Sequence, residues 1–98
     1  MRVELSRFVE GDLDAIAGYI AQDNPTRAVS FIQEIGAQIH KIARNPLAYQ
    51  LRPEIGEGAR MAMVGRYVIL FRMVGEVVRI ERVVYGSREL VGLLKEGQ

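Results

Sequence analysis

The sequence of 98 residues contains no cysteine and a single histidine, His40. The absence of cysteine excludes disulfide bonds, thiolate metal sites and a cysteine nucleophile. One histidine cannot form a histidine metal cluster. Apolar runs stay far below the roughly 20 residues that a membrane helix needs, and the N-terminal residues 1–4 show no secretory signal. We therefore expect a small cytoplasmic protein with no metal, no cofactor and no membrane association.

Recognisable catalytic motifs are also missing: the sequence has no phosphate-binding loop, dinucleotide fingerprint or nucleophile elbow. The 13 basic and 12 acidic side chains give a net charge of +1, which does not by itself predict nucleic-acid binding. Residues 50–98 nevertheless contain seven arginines and one lysine. The planar guanidinium group of arginine suits bidentate and stacked contacts.

Hydrophobic residues make up 49% of the chain and charged residues 26%, which is typical of one globular domain over residues 1–98. The first half predicts a short strand followed by two amphipathic helices. Ser6 and Asn24 are the expected N-caps of these helices. Pro25 fits the first position of the second helix, which should end near Ala43. Because the break between the helices is short, they should form an antiparallel hairpin.

The second half changes to the alternating pattern of strands, after a Pro- and Gly-containing loop over residues 47–59. The predicted strands are residues 3–5, 60–64, 67–73 and 76–85, and residues 88–95 are a predicted terminal helix. Short turns make consecutive strands antiparallel. The expected fold class is α+β, in the order β-α-α-β-β-β with a short C-terminal helix. The helical hairpin should cover one face of a small antiparallel sheet and leave the other face open to a partner.

A charged residue interrupts an apolar row of the last strand. Arg82 follows Val78 and Ile80 on the same side of the predicted strand. A buried guanidinium needs a partner, so Arg82 is not expected to lie unpaired beneath the helices. Either the row faces outward, or Arg82 meets a carboxylate in a cross-strand ion pair, or a bulge rotates the chain. The functional alternative is that Arg82, Arg60 and Tyr85 converge on the open face and bind an anion.

Four other side chains could have either a functional or a purely structural role. His40 lies on the flank of the second helix, where a lone histidine is ordinarily packed or solvated. Tyr19 borders the apolar stripe of the first helix, as expected for the edge of the core. Glu54 and Glu57 lie in the loop and are weak candidates for a general base.

The sequence resembles the ParE/RelE superfamily of bacterial toxins from toxin–antitoxin pairs. The resemblance covers nearly the whole chain and depends on an ordered combination of short pieces. These are Asp12-Leu13-Asp14-Ala15-Ile16, Tyr19-Ile20-Ala21, Asp23-Asn24-Pro25 with Ala28, Ile42 with Asn45-Pro46, Arg60, Val64-Gly65-Arg66-Tyr67-Val68-Ile69, Phe71-Arg72, Ile80, Arg82-Val83, Gly86, Arg88 and Leu90.

The resemblance implies a toxin that a cognate, ParD-like antitoxin neutralises in a hetero-oligomer. In this superfamily the antitoxin wraps its C-terminal segment around the helical hairpin and the sheet. Helix-in-groove docking and strand addition are physically suited to such a surface. The residues expected to contact the antitoxin are Tyr19, Arg60, Arg66 and Tyr67.

Two activities occur among proteins of this kind. The RelE-like branch cleaves messenger RNA on the ribosome, and Arg60 and Arg82 match its phosphate-binding arginines, with Tyr85 a looser match to its terminal tyrosine or histidine. Its lysines have no counterpart, because Lys41 and Lys95 lie elsewhere. A guanidinium stays protonated and is a poor general acid or base.

The turn and strand motifs look more like the ParE branch, which inhibits DNA gyrase by protein binding and without catalysis. We therefore expect no catalytic residues and no sequence-specific nucleic-acid binding. The candidates for target binding are Arg82, Tyr85, Arg88, Leu90, Leu93 and Leu94. The alternatives are a ribosome-dependent ribonuclease and an inactive member that only binds antitoxin.

Overall fold

The computed structural model describes residues 1–95 as two helices packed against a four-stranded sheet. The elements are β1 (Arg2–Leu5), α1 (Val9–Ala21), α2 (Pro25–Arg44), a 3-10 turn (Pro46–Ala48), β2 (Arg60–Val64), β3 (Tyr67–Val74) and β4 (Val77–Tyr85). The strand order is β1-β4-β3-β2. Strands β2, β3 and β4 pair antiparallel, whereas β1 pairs parallel with β4. The predicted α+β fold class is confirmed, and β1 makes the sheet mixed.

The start of α2 is set by local sequence, whereas the start of α1 is set by tertiary contacts. The Asn24 side chain accepts a hydrogen bond from the Arg27 amide at 3.0 Å, and Pro25 is the first helical residue, as predicted. Ser6 is not an N-cap, because α1 begins only at Val9. Its hydroxyl instead donates to the Glu81 carbonyl at 2.6 Å and accepts from the Phe8 amide.

The main core lies between the helices and one face of the sheet. Helix α1 packs against β4 and α2 packs against β2. The most buried members of this core are Val9, Ile35, Ile42, Ile69, Phe71, Val78, Ile80 and Val83. Burying one such side chain stabilises the fold by roughly 1.5–3 kcal/mol, so this layer holds the hairpin on the sheet.

The other face of the sheet is covered, contrary to the expectation that it is open. A second core forms there from Ile55, Ala59, Val68, Leu70, Val84 and Leu94. The loop before β2 and the C-terminal segment lie over the sheet together, and the Leu94 amide donates to the Ile55 carbonyl at 2.9 Å. A Cβ on Gly56 would lie 2.8 Å from the Leu94 Cβ, so the two segments meet where only glycine fits.

The C-terminal segment, residues 87–95, forms turns and not the predicted helix. Gly92 has a φ of +75°, in the left-handed region that ends a right-handed helix. Its amide donates to the Glu54 carbonyl at 2.8 Å. The amides of Gly92 and Leu94 thus donate to carbonyls of the loop before β2. In a terminal helix they would have donated to carbonyls of the same helix. No helix within residues 1–95 has the length and apolar character needed to cross a membrane.

Candidate functional site

A β-bulge in β4 decides where Arg82 points. Leu70 of β3 pairs with Arg82 and the next residue, Phe71, pairs with Ile80, so Glu81 is an extra residue in β4. A bulge of this kind shifts the alternation of side chains by one position. Val83, and not Arg82, therefore joins the core under the helices. Of the alternatives that the sequence left open, the bulge is the one found.

Arg82 is bound to a carboxylate on helix α1. Its Nε donates to Asp12 Oδ2 at 2.8 Å and its Nη2 donates to Oδ1 at 2.9 Å. Asp12 Oδ2 also accepts from the Val83 amide at 3.0 Å, and the Arg82 guanidinium lies 5.2 Å from the Phe8 ring centroid. The hydrogen bonds to Asp12 raise the pKa of Arg82. Arg82 thus joins α1 to β4, and the cross-strand pair predicted for it is wrong.

The bulged residue is itself buried in a second cluster of charges. Glu81 is only 3% exposed. Arg79 Nε lies 3.4 Å from its Oε1. Arg72 Nε lies 3.2 Å from its Oε2, within ion-pair range but not aligned for a hydrogen bond. Arg72 also donates to the Leu94 carbonyl, so this cluster helps to hold the C-terminal segment on the sheet.

Arg60, Arg82 and Tyr85 do not converge. Arg60 lies on β2, separated from β4 by β3, and its Nη1 donates to the Tyr49 carbonyl. The Tyr85 ring packs against the Tyr67 ring with 5.3 Å between centroids. The anion site considered from the sequence is therefore not assembled by these three residues.

A pocket of about 690 Å³ opens where the turn of the helical hairpin meets the β2–β3 turn. We call it the aromatic pocket; it is lined by Tyr19, Ile20, Arg27, Phe31, Gly65, Arg66, Tyr67 and Tyr85. Tyr67 packs against Phe31 with ring centroids 5.5 Å apart, and against Tyr85 on its other side. Gly65 has a φ of +55° and approaches Phe31 closely, so the β2–β3 turn can form one wall.

The charges around the aromatic pocket are positive. Arg27 forms an ion pair with Glu34, on the exposed side of α2. A hydrogen bond to the Tyr85 phenol raises the pKa of Arg66. Burial, and then the neighbouring phenols, raise the pKa of Tyr67. The lining residues named above include no carboxylate.

Three of the four residues predicted to contact an antitoxin lie together in the aromatic pocket: Tyr19, Arg66 and Tyr67. Tyr19 is 70% exposed and forms part of the rim, so it is not the core edge expected from its helical position. Tyr85, which was assigned to target binding, joins them, whereas Arg60 does not line this pocket.

Arg27 and Phe31 line the aromatic pocket but were not among the residues predicted to bind a partner. Phe31 was recognisable only as part of the apolar stripe of α2, and Arg27 carried no distinguishing pattern. Their position next to Gly65 depends on how α2 lies over the β2–β3 turn, which a single sequence does not reveal.

A second, apolar groove runs along the outer side of the helical hairpin. It has a volume of about 520 Å³ and is lined by Ala17, Gly18, Ala21, Pro25, Ala28, Val29, Ile32 and Gln33. Val29 is largely exposed. Most of the lining residues are small, so another helix can approach the hairpin closely at this groove.

The candidates for target binding in the C-terminal segment differ in accessibility. Arg88 is exposed, whereas Leu90 and Leu93 are partly buried against the second core. Leu94 is buried within that core. Leu94 therefore contributes to packing, and a target can contact Arg88 without opening the fold.

The remaining candidates for acid–base chemistry form no hydrogen bond or ion pair with Arg60 or Arg82 within residues 1–95. His40 is exposed on α2. Arg52 donates a hydrogen bond to Glu54 at 2.6 Å and lowers the pKa of that carboxyl, which makes it a weaker base. Glu57 is exposed in the same loop. Within residues 1–95, no group of three or more histidine or carboxylate side chains is placed to hold a metal ion.

Comparison with known proteins gives concordant matches over nearly the full chain. Toxin ParE3 of Caulobacter vibrioides is 29% identical over 94 residues, which cover 95% of this chain and 94% of that protein. A chain from the chromosomal ParDE TA system of P. aeruginosa superposes with a TM-score of 0.75 at 25% identity, covering 87% of this chain and 95% of that one.

A more distant structural likeness concerns the fold alone. A chain of the toxin–antitoxin complex RelBE2 from Mycobacterium tuberculosis has a TM-score of 0.58 and 24% identity, over 86% of this chain and 95% of that one. The family model for the ParE toxin of the type II toxin–antitoxin system parDE matches residues 3–90. The chain therefore belongs to the ParE family of type II toxins.

Proposed function

We propose that this toxin arrests growth by binding DNA gyrase, without cleaving RNA, and that a cognate antitoxin neutralises it. The observation that carries the proposal is the engagement of the two arginines that a ribonuclease of this fold would need for phosphate. Arg82 is held by Asp12 at 2.8 and 2.9 Å, and Arg60 is held by the Tyr49 carbonyl. Both guanidinium groups therefore form contacts within the folded protein. This favours a toxin that acts by binding another protein over one that binds and cleaves RNA.

The requirements of proton transfer also argue against RNA cleavage. RNA cleavage requires a base for the 2′-hydroxyl and an acid for the leaving oxygen, both within hydrogen-bond reach of the phosphate. Glu54 is paired with Arg52, and His40 lies on the exposed side of α2. Tyr85 packs against Tyr67. Within residues 1–95, none of these groups forms a hydrogen bond or ion pair with Arg60 or Arg82.

Antitoxin binding is supported by the surfaces of the helical hairpin. The groove beside Val29 is an apolar concavity on the hairpin, and the aromatic pocket lies where the hairpin meets the β2–β3 turn. Such concavities fit an amphipathic helix or an extended segment. The similar structures from P. aeruginosa and M. tuberculosis are named as toxin–antitoxin systems. We assign the cognate antitoxin as the partner of this hairpin.

The test compares two assays on the same purified toxin. We expect inhibition of gyrase supercoiling, reversal by the cognate antitoxin, and intact messages in a coupled translation reaction. Arg88→Glu should weaken inhibition of gyrase, whereas Lys41→Glu, an equal charge change at another exposed position, should not. Cleavage of messages by the wild-type toxin, or unaltered supercoiling, would overturn the proposal.

A further inference from the structure

We propose that the aromatic pocket receives a bulky apolar side chain of the antitoxin, and that a carboxylate of the same antitoxin segment binds Arg66. This inference rests on the proposed function in one respect: it requires an antitoxin as partner. It adds the chemistry of the anchoring residues and the position at which they bind.

The walls of the pocket favour an apolar occupant. Ile20, Phe31 and Tyr67 form its inner surface, and its volume of about 690 Å³ lies in the range of sites that enclose a ligand group. The rim is formed by two tyrosines, Tyr19 at 70% exposed and Tyr85 at 41% exposed. Tyrosine and arginine around a desolvated pocket are typical of the residues that dominate binding energy at protein interfaces.

The charges favour an acidic neighbour for that apolar side chain. Glu34 compensates the charge of Arg27, whereas the side-chain partner of Arg66 is Tyr85 and not a carboxylate. Arg66 lines the pocket and forms no ion pair with a carboxylate of residues 1–95. A carboxylate on the bound antitoxin segment can form a bidentate ion pair with the Arg66 guanidinium, which is a strong and directional contact.

The same features argue against a nucleic acid. A nucleobase also stacks on tyrosine, but binding of a nucleic-acid backbone depends on several cations along its path. At this pocket one of the two lining arginines is already neutralised by Glu34. A peptide can bind here with one apolar side chain in the pocket and one carboxylate on Arg66, and the pocket offers a partner for each.

The position of the pocket favours the antitoxin over the target. Tyr85 is the last residue of β4 and leads directly to the segment that carries Arg88. A bound side chain would bury Tyr85 and place the rest of its segment next to the surface that we assign to gyrase. Occupation of the aromatic pocket would thus also block the target surface.

Isothermal titration of the full-length cognate antitoxin into the intact toxin tests the inference. We expect Tyr19→Ala and Arg66→Glu each to raise Kd by at least about tenfold, in the range of interface hot spots. Arg66→Lys, which keeps the charge, should weaken binding less than Arg66→Glu. Leu47→Ala, at an equally exposed apolar position, serves as the control and should leave Kd unchanged. Thermal unfolding of each variant checks that it is folded.

The outcomes separate the two proposals. An unchanged Kd for both Tyr19→Ala and Arg66→Glu overturns the pocket assignment and leaves the proposed function intact. Failure of the wild-type toxin to bind its antitoxin overturns both. Loss of gyrase inhibition with unchanged antitoxin affinity in Tyr19→Ala would assign the pocket to the target. Binding of a single-stranded RNA oligonucleotide that Tyr19→Ala abolishes would assign it to nucleic acid. Either result contradicts the inference.

Discussion

Asp12 binds the side chain of Arg82 and the backbone amide of Val83 with one carboxylate. Strand β1 ends at Leu5, which pairs with Ile80, and the Ser6 amide donates to the Ile80 carbonyl at 2.8 Å. Beyond that point Asp12 takes the place of a neighbouring strand at the edge of β4. Helix α1 thus completes the hydrogen bonding of the sheet as well as covering it.

Asp12→Ala should lower the free energy of unfolding by about 3 kcal/mol, because it leaves a mostly buried guanidinium and a backbone amide without an acceptor. Urea denaturation measures the change. Asp14→Ala, on the exposed side of the same helix, is the control and should stay within about 0.5 kcal/mol. A loss below 1 kcal/mol for Asp12→Ala would mean that water replaces the carboxylate.

Gly56→Ala should displace the C-terminal segment, since the new Cβ would lie 2.8 Å from the Leu94 Cβ and 2.9 Å from the Leu94 carbonyl oxygen. Hydrogen exchange of the Leu94 amide, which donates to Ile55, should become faster. The control is Gly11→Ala in α1, where no described atom lies within 4 Å of the added Cβ; it should stabilise the protein by up to about 1 kcal/mol. Unchanged exchange at Leu94 would show that the segment adjusts without strain.

Leu94→Ala should destabilise the protein by about 2–4 kcal/mol, because it removes a buried side chain from the second core. Val91→Ala, at a largely exposed position of the same segment, should change stability by less than about 0.5 kcal/mol. Chemical denaturation distinguishes the two. Equal effects would mean that the segment does not stay docked in solution, and truncation after Gly86 would then test target binding without a loss of packing.

The stability of the toxin should fall as the pH rises above 10, through Tyr67. Burial raises the folded-state pKa of this phenol above the ordinary value of 10.0, so the unfolded chain releases the proton first. The contribution is fully present below pH 10 and is lost as the pH rises through the folded-state pKa. Urea denaturation between pH 8 and 11 should show a shallower decline for Tyr67→Phe. Equal slopes for both proteins would refute this origin.

Local signals in the sequence predicted the elements well. Asn24 and Pro25 define the start of α2 because capping and a proline-fixed φ act within one turn, and the structure confirms them. Ser6 carries the same signal, but its hydroxyl bonds to Glu81, 75 residues away. A pairing at that distance is invisible to a local pattern.

The site was only partly predictable for the same reason. Tyr19, Arg66 and Tyr67 were predicted to contact the antitoxin, which remains a prediction, and the fold brings them together in one pocket. The orientation of Arg82 depends on the bulge at Glu81, and strict alternation along a strand cannot reveal an extra residue. The cover of the second face depends on Gly56 and Leu94, which lie in segments without a regular period.

The parallel pairing of β1 with β4 has a consequence during synthesis. Arg2 pairs with Val77, so β1 is synthesised 75 residues before its partner in β4. At ribosomal rates of roughly 5–20 residues per second, β1 remains without its sheet neighbour for roughly 4–15 s. A nascent chain therefore cannot complete the β1–β4 part of the sheet until β4 has been synthesised, and the N-terminal strand stays unpaired in that interval.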